Sequence, residues 1–118
     1  MMNFKIRSAI KILTILYQQG SDKPVSLSSL SRIAGISLSY TENIFQYFRK
    51  AGLVFSTMGR CGGYMPAHPD ISVADVILAI KMMPEEPFFE PIYNALSKMK
   101  IRHLARQDEL SMFSKDRN

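Results

Sequence analysis

Residues 35–64 read GISLSYTENIFQYFRKAGLVFSTMGRCGGY. A glycine turn at Gly35 leads through Ser37, a preferred helix cap, into a helix expected to run to about Ala51. Gly52 stops that helix. Leu53 to Met58 is rich in strand formers, Gly59 to Gly63 makes a turn, and Tyr64 with Met65 starts a return strand. Pro66 and Pro69 keep the return short. A helix followed by a short glycine-tipped hairpin is the layout of a recognition helix and its wing.

The elements on either side complete the motif. Phe4, Ala9, Ile12, Leu13, Leu16 and Tyr17 recur at near-helical spacing and predict a first helix over residues 4–19. Gly20 to Pro24 stops it. Ser26 can cap a second helix over Leu27 to Ala34, with Leu27, Leu30 and Ile33 on one face. The second helix, the Gly35-Ile36 turn and the third helix form a helix-turn-helix. Ser72-Val73-Ala74-Asp75 fits a capping box opening a fourth helix to about Lys81.

The fold class expected is mainly α: a winged helix-turn-helix with a small two-stranded β-wing and a long C-terminal dimerisation helix. Residues 1–81 form the DNA-binding domain and 82–91, with Pro84, Pro87 and Pro91, a linker. Residues 92–113 form the dimerisation helix and 114–118 a polar tail. Ile92, Leu96, Met99, His103, Leu104 and Leu110 make that helix's imperfect apolar stripe. So long a helix cannot bury its stripe on so small a domain, and pairing with a second copy would cover it.

Charge sharpens the reading. Residues 1–60 hold eight basic side chains against two acidic ones, and residues 61–118 hold seven against eight. The basic half is also the half with the helix-turn-helix. Such an excess favours a polyanion by counterion release, or else is a solubilising surface. At 100° per residue, Thr41, Ile44, Phe48 and Ala51 share one face of the third helix, suited to packing. Ser39, Asn43, Gln46 and Lys50 share the opposite face, with Glu42 at its edge. Asn and Gln can bind adenine with two hydrogen bonds, and Glu can accept from cytosine. A plain solvated surface is the alternative, but such surfaces usually carry Lys and Glu in pairs rather than these weaker helix formers.

Several classes drop out. No apolar run is long enough to span a bilayer, and no signal-peptide block follows the start, so a cytoplasmic protein is expected. The single Cys61 permits no internal disulfide. Nucleophile elbow, phosphate loop and paired metal-ligand clusters are all missing, which argues against an enzyme. His68 and His103 are too few and too far apart for a zinc site.

Val25-Ser26-Leu27, Gly35 to Tyr40, Arg49 to Val54, Gly62-Gly63-Tyr64 and Ile71 to Val76 together resemble the iron–sulfur cluster regulator family of bacterial winged-helix transcription factors, the IscR, NsrR and CymR type. The likeness covers roughly residues 3–80. It implies a homodimer on double-stranded DNA at a palindromic operator, most simply a repressor, with the third helix of each subunit in a major groove. The C-terminal helices would cross, often swapped onto the partner. By the same likeness, Ser37, Ser39 and Tyr40 contact phosphates or bases, Glu42 sits at a base-reading position, and Asn43 stands where glutamine is common.

Two departures stand out. The family often holds a cluster on three cysteines near the start of the long helix, whereas residues 81–90 here contain none. Clusters need several thiolates, so no cofactor is expected. Family wings commonly carry arginine before the first glycine, where this chain has Met58; Arg60 follows Gly59 and remains able to enter a minor groove. Cys61 beside it is either a candidate redox thiol or a small residue tolerated in a turn. Met82, Met83, Phe88 and Phe89 form either a docking surface for an effector or a cover for the dimer core. A second function class stays open: a winged-helix interaction module that binds a partner protein rather than an operator.

Overall fold

Three serines start three helices. Ser26, Ser37 and Ser72 each accept the backbone N–H three residues on, at 3.1, 3.2 and 3.1 Å. The computed structural model describes residues 3–19, 22–59, 62–83 and 85–106. In chain order the elements are α1 (Phe4–Gln19), α2 (Leu27–Ala34), α3 (Leu38–Lys50), β1 (Val54–Thr57), β2 (Gly63–Pro66), α4 (Val73–Ala79), a 3-10 turn (Pro87–Phe89) and α5 (Glu90–Ser97). Residues 101–106 are again helical. The Ser72 cap is a full capping box, because the Asp75 carboxylate accepts the Ser72 N–H at 2.9 Å.

The same three helices end alike. After each, one residue turns left-handed while its N–H and the next residue's N–H reach back to carbonyls of the last turn. At Gly35 (φ 72°) the bonds run to Arg32 and Ser31, and at Gly52 (φ 75°) to Arg49 and Phe48. The third closure falls on Lys81 (φ 60°), with bonds to Leu78 and Ile77. Glycine adopts this conformation freely, whereas a side chain there costs about 1–2 kcal/mol. The fourth helix therefore stops at Ala79, two residues short of expectation, and no glycine marks the stop.

The core lies where α1, α2, α3 and α4 meet. Ile12, Leu13 and Leu16 of α1, Leu30 of α2, Ile44 and Phe48 of α3, and Val76 of α4 are all fully buried. The wing is an antiparallel pair in the register Val54–Pro66 to Thr57–Gly63. Its return strand is tied to the segment before α2 by paired bonds between Val25 and Tyr64, at 2.9 and 2.8 Å. A Cβ on Gly63 would come within 2.5 Å of the Val25 backbone, so the tie requires glycine there.

The C-terminal part corrects two expectations. The stretch expected as one helix over 92–113 is not continuous in its described part, which ends at residue 106. It begins earlier, at Glu90, breaks at 98–100 and resumes at 101. The break has a tertiary cause: the Val73 N–H donates to the Met99 carbonyl at 2.8 Å, and Ile101 donates to Ile71 at 2.9 Å. Ser72 and Lys100 thus form an antiparallel bridge that a continuous helix could not supply, and Ile101 is fully buried beneath it. The linker is also more structured than its prolines suggested. Pro87 and Pro91 open the 3-10 turn and α5, at positions where the missing N–H is not needed.

Candidate nucleic-acid interface

The third helix is divided as its periodicity predicts, with one correction. Thr41, Ile44 and Phe48 are buried, but Ala51 lies past the last turn and is exposed. Phe45 takes its place in the core, 1% exposed. Its ring packs against Phe48 at 5.3 Å and against Tyr64 of the wing at 4.8 Å. The wing is a second packing partner, and it widens the buried side of α3 beyond what α1 and α2 alone would cover.

The opposite side is open. Ser39, Glu42, Asn43, Gln46 and Lys50 are all exposed, and Ser37 is exposed while serving as the cap. Tyr40 differs from its neighbours: it is half-buried, with its ring stacked on Phe4 at 5.5 Å. Arg60 and Cys61 lie outside the described residues, as does Leu110. At the wing tip the Gly62 N–H donates to the Gly59 carbonyl at 3.0 Å, which holds the two sides of the tip together.

Two cations border this surface that the polar-face pattern did not include. The Lys5 ammonium sits 4.2 Å above the Tyr47 ring. Arg49 donates to the Tyr64 hydroxyl at 3.5 Å. Both contacts join residues far apart in sequence or on different faces, so helical spacing within α3 could not reveal them. Charge could have: the three helices α1 to α3 carry six basic side chains and a single acid, Glu42.

The expected dimer residues are scattered rather than aligned. Ile92 and Met99 are about half exposed, at 49% and 46%, and His103 is exposed. Leu96 and Leu104 are half-buried against the core. Leu96, Met99 and Leu104 nonetheless share one apolar groove with Phe4, Ile10 and Ile36, of about 580 Å³, with Arg7 and Lys11 at its rim. Towards the C-terminal end of α1, Tyr17 donates to the His68 carbonyl at 2.6 Å, and burial pushes its phenol up to about 12.

An exposed polar helix, backed by two helices and flanked by a tied β-hairpin, defines the winged helix-turn-helix class. The chain belongs to the Rrf2 family, whose model, described as an iron-dependent transcriptional regulator, matches residues 2–110. Among curated relatives, protein rrf2 of Nitratidesulfovibrio vulgaris is 39% identical over 79 residues, which is 65% of this chain and 53% of that protein. The HTH-type transcriptional regulator IscR of Photobacterium profundum is 42% identical over 78 residues, 64% of this chain and 45% of its own length. This chain thus spans about half the length of the curated relatives it matches. Among solved structures, T. potens IscR superposes with a TM-score of 0.81 at 27% identity, covering 94% of this chain and 90% of that one. CymR, the global cysteine regulator of B. subtilis, gives 0.76 at 26% identity, covering 91% and 97%. These relatives are regulators and not enzymes.

The donors on this chain do not fit an iron–sulfur cluster. Its one cysteine is Cys61, between β1 and β2 in the sequence. Among the described residues no group of three His, Cys, Asp or Glu side chains is placed to hold a metal ion. The segment 90–106 offers His103 and Glu90 but no thiolate, and cluster ligation rests on several. Also among the described residues, no helix is long and apolar enough to cross a membrane.

Proposed function

We propose that the protein is a homodimeric, sequence-specific DNA-binding transcription regulator, a repressor of a palindromic operator, that works in the cytoplasm without an iron–sulfur cluster. The observation that carries this reading is the exposed face of α3. Ser39, Asn43, Gln46 and Lys50 stand free of the core on a rigid, capped helix within the basic half of the chain. Asn43 and Gln46 are the base readers and Glu42 a third at the edge. Ser37, Ser39, Tyr40 and Lys50 hold phosphates, and Arg60 reaches the minor groove from the wing.

Apolar surface that one copy leaves open supports the homodimer. The 580 Å³ groove has an apolar floor, and exposed Ile92 lies outside it on α5. Residues 107–113, with Leu110, Met112 and Phe113, supply the apolar side chains and Asp108 and Glu109 the acids that such a groove with a basic rim would accept from a second copy. Analytical ultracentrifugation with a labelled duplex tests the assembly. Two chains per duplex are expected, and one chain bound tightly and alone would contradict the reading.

One observation favours the alternative of a partner-protein module. Phe88 is 80% exposed beside a 320 Å³ cleft lined by Leu78, Met83, Phe89 and Tyr93 and edged by Glu85, Glu86 and Glu90. Alanine at Asn43 and Gln46 separates the two: it abolishes duplex readout under the first reading and changes nothing under the second.

A further inference from the structure

The exposed face of α3 lies between two basic side chains, each held by a tyrosine. By helical rotation Tyr47 sits about 70° to one side of the centre of the Ser39–Asn43–Gln46–Lys50 face, and Arg49 about 90° to the other. On the Tyr47 side stands α1. Phe4 stacks on Tyr40 and fixes the first turn of α1 against α3, and the next residue, Lys5, places its ammonium 4.2 Å above the Tyr47 ring. On the Arg49 side stands the wing. There the Tyr64 ring is packed on Phe45 and its backbone is paired with Val25, so the hydroxyl that Arg49 meets is itself fixed.

Among the described residues neither cation is neutralised by a carboxylate. Among the described residues the ion pair present is Arg102 with Asp70 at 3.1 Å, and no carboxylate lies within ion-pairing distance of Lys5 or Arg49. An ammonium over a ring face is attracted by the ring's quadrupole and keeps its outward N–H groups for another acceptor. A lysine ordered in this way before its ligand arrives loses less side-chain freedom on binding. A helix face that enters a major groove is bordered on each side by a phosphate backbone, and the two cations stand on the two sides of such a face.

We propose that Lys5 and Arg49 are phosphate-contacting residues that grip the DNA backbones on either side of α3, and that Tyr47 and Tyr64 are the positioning residues that aim them. The inference rests on the DNA-binding reading above and extends it to α1, an element outside the helix-turn-helix. It assigns these residues to affinity and register, not to base choice.

The test is salt-dependent binding of the full chain to two duplexes: one recovered by the wild-type chain from a random pool, and one of unrelated sequence. Lys5→Gln and Arg49→Gln should each lower the slope of log K against log salt by about 0.9 for every phosphate that the variant no longer neutralises. At about 100 mM salt each should weaken both duplexes alike, roughly fivefold to tenfold. Tyr47→Leu should cost about two- to fivefold in the wild-type background and nothing in the Lys5→Gln background, whereas Tyr47→Phe, which keeps the ring, should match wild type. Unchanged slopes in both charge variants, with wild type binding normally, would overturn the inference while leaving the DNA reading intact. A Tyr47→Leu loss that persists without Lys5 would overturn the positioning role. A wild-type chain that recovers no duplex would overturn both readings together.

Discussion

The α2–α4 region and the segment from Pro87 to residue 106 are built on different terms. In the first, every helix has a serine cap that bonds its own N-terminal turn, a left-handed closure, and buried residues on one face. In the second, neither the 3-10 turn nor α5 has a side-chain cap, and neither contains a buried residue. The later helical stretch is anchored by Ile101 and by backbone bonds to 71–73. Each helix of the first region starts and stops on bonds within its own turns and packs one face into the shared core. The second leans on the first through a strip of bridge and leaves apolar side chains such as Phe88, Ile92 and Met99 in the open. The contrast is what the proposed homodimer would require, a rigid head joined to a segment that a second copy covers.

Substitutions on the two sides should expose this contrast, most strongly in the core. Phe45→Ala should destabilise the fold by about 3–5 kcal/mol, since it empties the contact shared by α3 and the wing. Phe88→Ala, of the same chemistry but 80% exposed, should stay within about 0.5 kcal/mol. Denaturant titration of both checks the pair, and equal losses would dissolve the distinction between the regions.

A smaller effect is expected at the cap. Ser72→Ala removes one half of the α4 capping box and should cost about 0.5–2 kcal/mol by thermal or denaturant melting. The smallest concerns pH. The Tyr17 phenol, pushed up to about 12 from its usual 10.0 chiefly by burial, keeps its proton in the folded chain after the unfolded chain has lost it. Its contribution is therefore complete below pH 10 and is lost as pH rises from 10 through about 12. Tyr17→Phe should lower stability by about 1 kcal/mol near neutral pH, through loss of the bond to the His68 carbonyl, and should flatten the alkaline decline. Stability measured from pH 8 to 12 in both proteins decides it.

The head was legible because its signals are local. Ser26, Ser37 and Ser72 mark starts, Gly35 and Gly52 mark stops, and the periodicity of α3 separates its faces without knowledge of anything else. Phe45 escaped because its burial depends on where the wing lands. Lys81 escaped because a lysine in a left-handed turn carries no signature in composition. The break at 98–100 contains neither glycine nor proline, and only the carbonyl of Ile71 and the N–H of Val73, some thirty residues upstream, explain it. The family likeness to the IscR, NsrR and CymR type was readable for a similar reason: its motifs sit on caps, turns and the reading face. The polar face itself, Ser39 to Lys50, was visible from spacing, whereas the flanking Lys5 and Arg49 needed the rings of Tyr47 and Tyr64 to be placed in space.

The central claim is that the exposed face of α3 reads base sequence. Its most direct test is selection from a random duplex pool by the wild-type chain and by an Asn43→Ala/Gln46→Ala variant of equal thermal stability. Wild type is expected to enrich one two-fold symmetric motif, and the variant to retain DNA in low salt but enrich none. Enrichment of the same motif by both proteins, or of no motif by the wild type, would contradict it.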